Sequence, residues 1–262
     1  MKKKSWFWIW SILIAVTILS SCKKEPLDEI DPEGRVHGPV AYYTFDNETA
    51  EDLSIHGYDG SLINNPEFIT DTPNGSGKAI FFRAVEKQYL NIPYDLFEGL
   101  TKYSILFWIK DFRDGFIFSG MGAETYRGDN YPQLICADGL FAFSASGFPF
   151  YIGASVFSYG ATAIQDGQWH FLGITCSRKG VLYNGAQWTI KLYVDGRLAD
   201  TTTEDALSPA QPITKFQFGG NGNGMHNIST NVTATNLKID NIRVYDRELS
   251  AKDVKTLYDS ER

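Results

Sequence analysis

From Val40 onward, short apolar runs alternate with clusters of Gly, Pro, Asn and Asp. The runs are Val40–Phe45, Ala79–Phe82, Tyr89–Ile92, Tyr103–Ile109, Phe116–Ser119, Gln133–Cys136, Leu140–Ser144, Trp169–Cys176, Thr189–Val194, Ile213–Phe218 and Leu237–Tyr245. Each is four to nine residues long, and many are rich in β-branched and aromatic side chains. Such side chains suit a pleated, half-buried surface, and the turn residues between them bound each strand. The pattern predicts an all-β domain, a two-sheet antiparallel jelly-roll sandwich with one short C-terminal helix.

Period-two alternation is clean in Thr189–Val194, where Ile190, Leu192 and Val194 share one face and Lys191 and Tyr193 the other. It fails in Leu237–Tyr245. There Leu237, Ile239, Asn241, Arg243 and Tyr245 fall together, opposite Lys238, Asp240, Ile242 and Val244. Neither set is purely apolar, so inside and outside are not assigned by periodicity. Asp195-Gly196 between strand-like runs predicts a two-residue type I′ hairpin. Residues 249–258 read as a helix: Ser250 caps it, Asp253 completes a capping box, and Val254, Leu257 and Tyr258 form an apolar stripe. It is expected to close one end of the sandwich.

The start of the chain follows a different pattern. Three lysines in Met1–Lys4 precede an apolar run, Trp6–Leu19, broken only by Ser11 and Thr17. A basic segment followed by a run too short to span a bilayer describes a secretion signal. Leu19-Ser20-Ser21-Cys22 resembles the bacterial lipobox, which implies cleavage after residue 21 and lipidation of Cys22. Residues 22–38 are polar, contain Pro and Gly and lack a period, so they read as a flexible tether to the domain at 39–262. Lys24-Glu25 with the acids that follow resembles the export signals of Bacteroidetes-type surface lipoproteins. The expected location is the outer membrane, with the protein lipid-anchored and surface-exposed, and with membrane contact through the acyl chains alone.

Composition narrows the function. The 262 residues are 43% hydrophobic and 21% charged, which excludes disorder, and a net charge of −7 argues against nucleic-acid binding. Three cysteines and four histidines leave little for a zinc centre or a disulfide scaffold. There is no G-x-S-x-G elbow, P-loop, dinucleotide fingerprint or H-E-x-x-H. Glu29-Ile30-Asp31-Pro32-Glu33 spells the E-x-D-x-E of laminarinase-like hydrolases. It lies in the tether, and Pro32 argues against a central strand, so the match is read as coincidence and no catalytic residue is assigned.

Several segments in order resemble the LamG-like jelly-roll domains of the concanavalin A-like lectin/glucanase superfamily. They are Ala41-Tyr42-Tyr43-Thr44-Phe45-Asp46, Gly77-Lys78-Ala79-Ile80-Phe81-Phe82, Ser104-Ile105-Leu106-Phe107-Trp108-Ile109-Lys110, Gly167-Gln168-Trp169-His170-Phe171, Lys191-Leu192-Tyr193-Val194-Asp195-Gly196 and Ile239-Asp240-Asn241-Ile242-Arg243-Val244-Tyr245-Asp246. The resemblance implies a structural calcium held by Asp46, Gly77 and Asp240, joining the first and last strands. It also implies a binding module whose ligands contact loops or the concave sheet face.

The residues leave some alternatives open. Tyr126 and Tyr131, in a polar loop, and Tyr159, in the aromatic segment Ser146–Gly160, are the candidate ligand-binding residues. Ser146–Gly160 reads either as a stacking platform for sugar rings or as a buried strand pair, since aromatics mostly fill cores. Asp52 and Asp59 are read as solvated loop residues or turn formers, and His170 as a structural histidine beside its strand. Cys136 and Cys176 read either as a disulfide or as two buried small side chains. The expected function is non-catalytic binding at the cell envelope, with a glycan as partner. The alternatives are a protein-binding adhesin or accessory subunit, and then a glycoside hydrolase or lyase.

Overall fold

The structure is a computed structural model, and it describes residues 36–97, 99–122, 132–145, 155–181, 184–205, 213–219 and 235–262. In chain order the strands are β1 (Ala41–Tyr43), β2 (Ser61–Ile63), β3 (Glu67–Ile69), β4 (Ala79–Phe82), β5 (Tyr89–Ile92), β6 (Lys102–Lys110), β7 (Gly115–Gly122) and β8 (Gln133–Ala137). They continue with β9 (Leu140–Ser144), β10 (Ser155–Gly160), β11 (His170–Val181), β12 (Asn184–Val194), β13 (Arg197–Asp205), β14 (Ile213–Phe218) and β15 (Leu237–Tyr245). The helix α1 (Ala251–Glu261) ends the chain. No helix among the described residues is long and apolar enough to cross a membrane.

The strands form two antiparallel sheets. The first runs β13-β12-β11-β6-β15-β4-β3, with β1 also paired to β15; the second runs β10-β9-β8-β7-β14-β5-β2. Between them lies the main core, built from alternate residues of each strand. Ile105, Phe107 and Ile109 of β6 and Leu172 and Ile174 of β11 meet Phe118, Leu134, Phe143, Phe216 and Phe218 of the second sheet. Phe107 packs edge-on to Phe118 (centroids 6.0 Å apart, planes at 84°) and to Phe218 (5.6 Å, 79°), the arrangement that ring quadrupoles favour.

The broken alternation of Leu237–Tyr245 has a local cause. The pairing of β15 with β6 shifts between Asp240 and Arg243, and Asn241 takes a left-handed φ of 50°. The extra residue is a β-bulge, which flips the phase of everything after it. Leu237 and Ile239 before the bulge, and Ile242 and Val244 after it, therefore all enter the main core. The hairpin at Asp195-Gly196 is a two-residue turn with φ of 50° and 72°, both positive as a type I′ turn requires.

The helix differs from expectation in its place. The capping box forms, with the Ser250 hydroxyl accepting from Asp253 N and Asp253 accepting from Ser250 N. However, α1 does not close an end of the sandwich. Val254 and Leu257 lie on the outer face of the first sheet, against a second apolar cluster of Leu106, Trp108, Phe171, Tyr193 and Tyr245. Those five residues gave the outer face an apolar stripe that only a covering element could bury.

Two open alternatives are resolved. Asp52 is the turn former rather than a solvated loop residue: fully buried, it accepts from Tyr42 N (2.8 Å), Ser54 N (2.8 Å) and Tyr58 N (2.8 Å) and organises the loop from within. Cys136 and Cys176 are buried free thiols, and the possible disulfide between them is not formed. Cys136 belongs to β8 in the second sheet, where its thiol donates to Asp114 Oδ1 at 3.2 Å. Cys176 belongs to β11 in the first sheet, among the main-core residues.

Candidate binding face and cation cradle

The outward residues of the second sheet follow from the inward ones. Leu90 and Ile92, Phe216 and Phe218, Phe118, and Leu134 and Cys136 all enter the main core. Their alternates must face away from it. The pairing register then lines up five of those alternates: Ser61 with Asn91, Asn91 with Gln217, Gln217 with Ser119, and Ser119 with Gln133. This is one uncharged polar row crossing β2, β5, β14, β7 and β8. At about 4.8 Å between strands it is about 19 Å long.

A second row runs beside it. Ile63 pairs with Tyr89 on one side; on the other, Phe116 pairs with Ile135, Ile135 with Ala142 and Ala142 with Val156. Phe116, Ile135 and Ala142 form a small apolar cluster of their own, separate from the main core. Val156 and the neighbouring Leu140 are exposed. The face thus carries an amide-and-hydroxyl row and an apolar row that includes a half-buried tyrosine.

The central members of the polar row are deeply set. Ser119 is 1%, Gln133 4% and Gln217 5% exposed. The Ser119 hydroxyl has no hydrogen-bond partner among the described residues. Buried hydroxyls nearly always have one, so an orphan invites an explanation. At the far end of the row Ser144 donates to Glu204 Oε1 (3.1 Å), so its hydroxyl is engaged within the fold.

Tyr159 stands elsewhere: it packs partly on the main core, where burial raises its hydroxyl pKa, and it does not join the outward rows. Tyr126 and Tyr131 lie outside the described residues, as do Cys22 and the Glu29–Glu33 motif. Tyr89, Asn91, Gln133 and Gln217 were missed by sequence reasoning. The alternation of Tyr89 and Asn91 with Leu90 and Ile92 was the available signal.

A second constellation lies at the first sheet. Asp46 Oδ1 accepts from Lys78 N at 2.8 Å. Gly77 has a φ of +75°, and a Cβ there would fall 2.0 Å from Asp46 Oδ1, so only glycine lets the loop close on the carboxylate. Asp240, placed by the β15 bulge, is 4% exposed and accepts from Asn241 N (2.7 Å). Burial foremost, with the negative charges of Asp46 and Glu261, pushes its carboxyl up to about 8. Gly77 thus closes on Asp46, and Asp240 lies within electrostatic reach of Asp46. Two mutually repelling carboxylates beside a glycine cradle fit a hard cation that takes oxygen ligands. No group of three or more His, Cys, Asp or Glu among the described residues stands at metal-binding spacing, so carbonyls and water would complete the shell.

His170 has both ring nitrogens engaged: Nδ1 with Asp195 Oδ2 (2.9 Å) and Nε2 with Asp166 Oδ1 (3.0 Å). It ties the hairpin at Asp195 to the loop before β11. The hydrogen bond to Asp195 foremost raises its pKa.

Comparison with known proteins places this geometry. Solved structures of similar shape include the botulinum neurotoxin serotype C1 binding domain, with a TM-score of 0.63, 15% identity, and coverage of 86% of this chain and 52% of that one. Two others are botulinum neurotoxin DC binding domains. The one in complex with SialylT has a TM-score of 0.60 and 15% identity; the one in complex with rat synaptotagmin II has 0.61 and 16%. Each pairing covers 86% of this chain and 52% of the other, so the chain spans about half the length of these structures. No curated protein matches the sequence. A family model described as the concanavalin A-like lectin/glucanases superfamily (Laminin_G_3) matches residues 85–255, and by that match the chain belongs to this superfamily.

Proposed function

We propose that this protein is a non-catalytic glycan-binding module of the cell envelope, and that the outer face of the second sheet is its binding surface. The observation that carries the reading is the uncharged polar row that includes, at Ser119, a buried hydroxyl with no hydrogen-bond partner among the described residues. Sugar hydroxyls donate and accept at once, and side-chain amides and hydroxyls complement them on both counts. The half-buried Tyr89 at one end of the apolar row and the exposed Val156 at the other offer surface for the C–H faces of pyranose rings. Neither row contains a carboxylate, whereas glycoside hydrolysis normally uses a pair of them. The similar neurotoxin domains include one in complex with SialylT, which is compatible with a sugar ligand.

Export and anchoring belong to the same proposal. Residues 1–21 would be removed, Cys22 would carry the acyl chains, and the segment to residue 38 would tether the domain at the outer membrane. Calcium would sit between Asp46 and Asp240 as a structural ion. Its charge would offset the repulsion between these carboxylates and tie the turn after β1 to β15.

A protein ligand is the second reading, favoured by the exposed Val156 and Leu140 on the same face. A glycan array probed with the purified chain in calcium decides between them. Reproducible binding to one glycan class, competed by the free sugar, is expected. A blank array from folded protein would overturn the glycan reading and move the weight to a protein partner.

A further inference from the structure

We infer that, on the anchoring reading above, the side of the domain that carries α1 rests on anionic lipid headgroups, and the second sheet is turned away from the bilayer. The fold begins on the α1 side. Val36 is fully buried, in the apolar cluster of Tyr245, Leu249, Val254 and Leu257 that seats the helix on the first sheet. Arg247 Nη2 donates to the His37 carbonyl at 2.6 Å, and the same guanidinium lies over the Tyr245 ring. Val40 N then donates to Val244 O as β1 joins β15. From residue 36 the chain is thus sewn to the outer face of the first sheet, and the upstream segment must depart from that face.

Length limits how the domain can turn. Residues 23–35 stand between the acylated Cys22 and Val36, and they reach at most about 45 Å when fully extended. A globular domain of this size has a radius of gyration of about 17 Å and is about 45 Å across. To lay the second sheet on the bilayer, the segment would have to run down the flank of the domain almost fully drawn out, with most of its chain entropy lost. With the α1 side down, the same segment satisfies the anchor in many conformations.

Charge favours the same side. The exposed charged residues of α1 are Lys252, Lys255, Asp259 and Arg262, three cations to one anion in a chain of net charge −7. The exposed Arg197 extends this patch, because Gly196 before it abuts Tyr258 of the helix. Lys and Arg side chains are drawn to an anionic headgroup surface within a Debye length. The outward rows of the second sheet hold no Lys or Arg.

The test uses the full chain, processed and acylated in an expressing bacterium. It is reconstituted into vesicles of phosphatidylethanolamine and phosphatidylglycerol that carry a rhodamine-labelled lipid. A donor dye is attached through Ala251→Cys on α1 or Val156→Cys on the second sheet, both exposed positions; Cys136 and Cys176 are buried and stay unlabelled. Energy transfer to the lipid should be at least about twofold greater from position 251 than from position 156. High salt, or Lys252→Glu together with Lys255→Glu, should narrow that difference. A Gly-Ser insertion of about 20 residues after residue 35 should narrow it too, since a longer segment lets the domain turn. Palmitate incorporation and flotation with the vesicles, both lost in Cys22→Ser, report the anchor separately. Equal transfer from the two positions, or greater transfer from 156, in anchored protein overturns the inference and leaves the anchoring reading intact. A difference that neither salt nor the charge reversals alter overturns the headgroup contact. If folded wild type takes up no palmitate and does not float, the anchoring reading fails and the inference with it.

Discussion

Removing the Glu261 carboxylate tests how α1 is held. Glu261 Oε2 accepts from Trp108 Nε1 at 2.6 Å and from Asn241 Nδ2 at 3.4 Å, while Oε1 pairs with the Arg243 guanidinium. The Arg243 and Glu261 side chains are 6% and 9% exposed. Arg243 also lies over the Tyr42 ring, 4.0 Å from its centroid, and donates to its hydroxyl at 2.7 Å. One clasp thus joins α1 to β1, β6 and β15. Breaking a buried pair from one side costs about 3–5 kcal/mol, because the other charge is left without its partner. Arg243 keeps Tyr42 and has Asp240 nearby, which places Glu261→Ala near the lower end, about 3 kcal/mol. For a domain of this size, about 2–4 °C is lost per kcal/mol, so the unfolding midpoint should fall by roughly 6–12 °C. Glu261→Gln keeps an acceptor for Trp108 and should fall between the variant and wild type. Thermal unfolding followed by tryptophan fluorescence and circular dichroism measures it. A fall of less than about 2 °C in Glu261→Ala would show that the pair behaves as a solvated one and that apolar contacts alone dock the helix.

Three further outcomes follow from individual sites. Gly77→Ala meets both a left-handed φ and the Asp46 carboxylate; it should cost at least about 1–2 kcal/mol and abolish any rise in midpoint that calcium gives the wild type, read by differential scanning fluorimetry with and without EGTA. His170 has a raised pKa, so its stabilising effect is complete below its ordinary value of 6.5 and is lost as pH rises through the higher folded value. The midpoint of wild type minus that of His170→Gln should therefore shrink across that alkaline step, and a difference that grew with pH would contradict the linkage. Burial pushes the Cys136 thiol up to about 12 and Cys176 well above its ordinary value. Ellman's reagent should find both only after unfolding, and a reductant should leave the midpoint in place; a reductant-dependent midpoint would indicate a disulfide.

Legibility from sequence divided along a physical line. Where burial is strong, a short apolar run bounded by turn residues located the strand: Ala79–Phe82, Tyr89–Ile92, Leu140–Ser144, Ile213–Phe218 and Leu237–Tyr245 begin and end where expected. Strands at or near the sheet margins gave no such signal. Arg197–Asp205 is largely polar because it is the last strand of the first sheet, and Ser61–Ile63 and Glu67–Ile69 are short outer strands half open to solvent. The bulge in β15 was visible only as a failed pattern, because a phase shift needs a partner strand to be recognised. The cradle was legible through family resemblance, and Gly77 against Asp46 gives it a steric basis. As a row, the polar residues were not legible, although alternation marked Asn91 as outward. Its members are scattered between positions 61 and 217, each an unremarked polar residue in an apolar run, and only the register makes them neighbours.

The two outer faces meet opposite demands, and this yields a test that separates stability from binding. The first sheet spends its outer face on α1, the Arg243–Glu261 clasp and paired lysines, so substitutions there should cost stability. On the second sheet, Ser119 holds a buried hydroxyl that nothing among the described residues satisfies. Burying such a group unpaired costs about 1–3 kcal/mol. Ser119→Ala removes the penalty and leaves a cavity no larger than one oxygen. It should therefore hold or raise the midpoint, by up to about 4 °C at 1 kcal/mol recovered, while weakening a ligand that hydrogen-bonds along the row. A stabilising change that costs binding marks a residue kept for function. Thr72 and Thr175 also carry buried hydroxyls with no hydrogen-bond partner among the described residues, but outside the row. Their replacement by Val should leave ligand affinity unchanged. If Ser119→Ala instead lowers the midpoint by several degrees, the hydroxyl supports the fold, and the central observation for a binding face is lost.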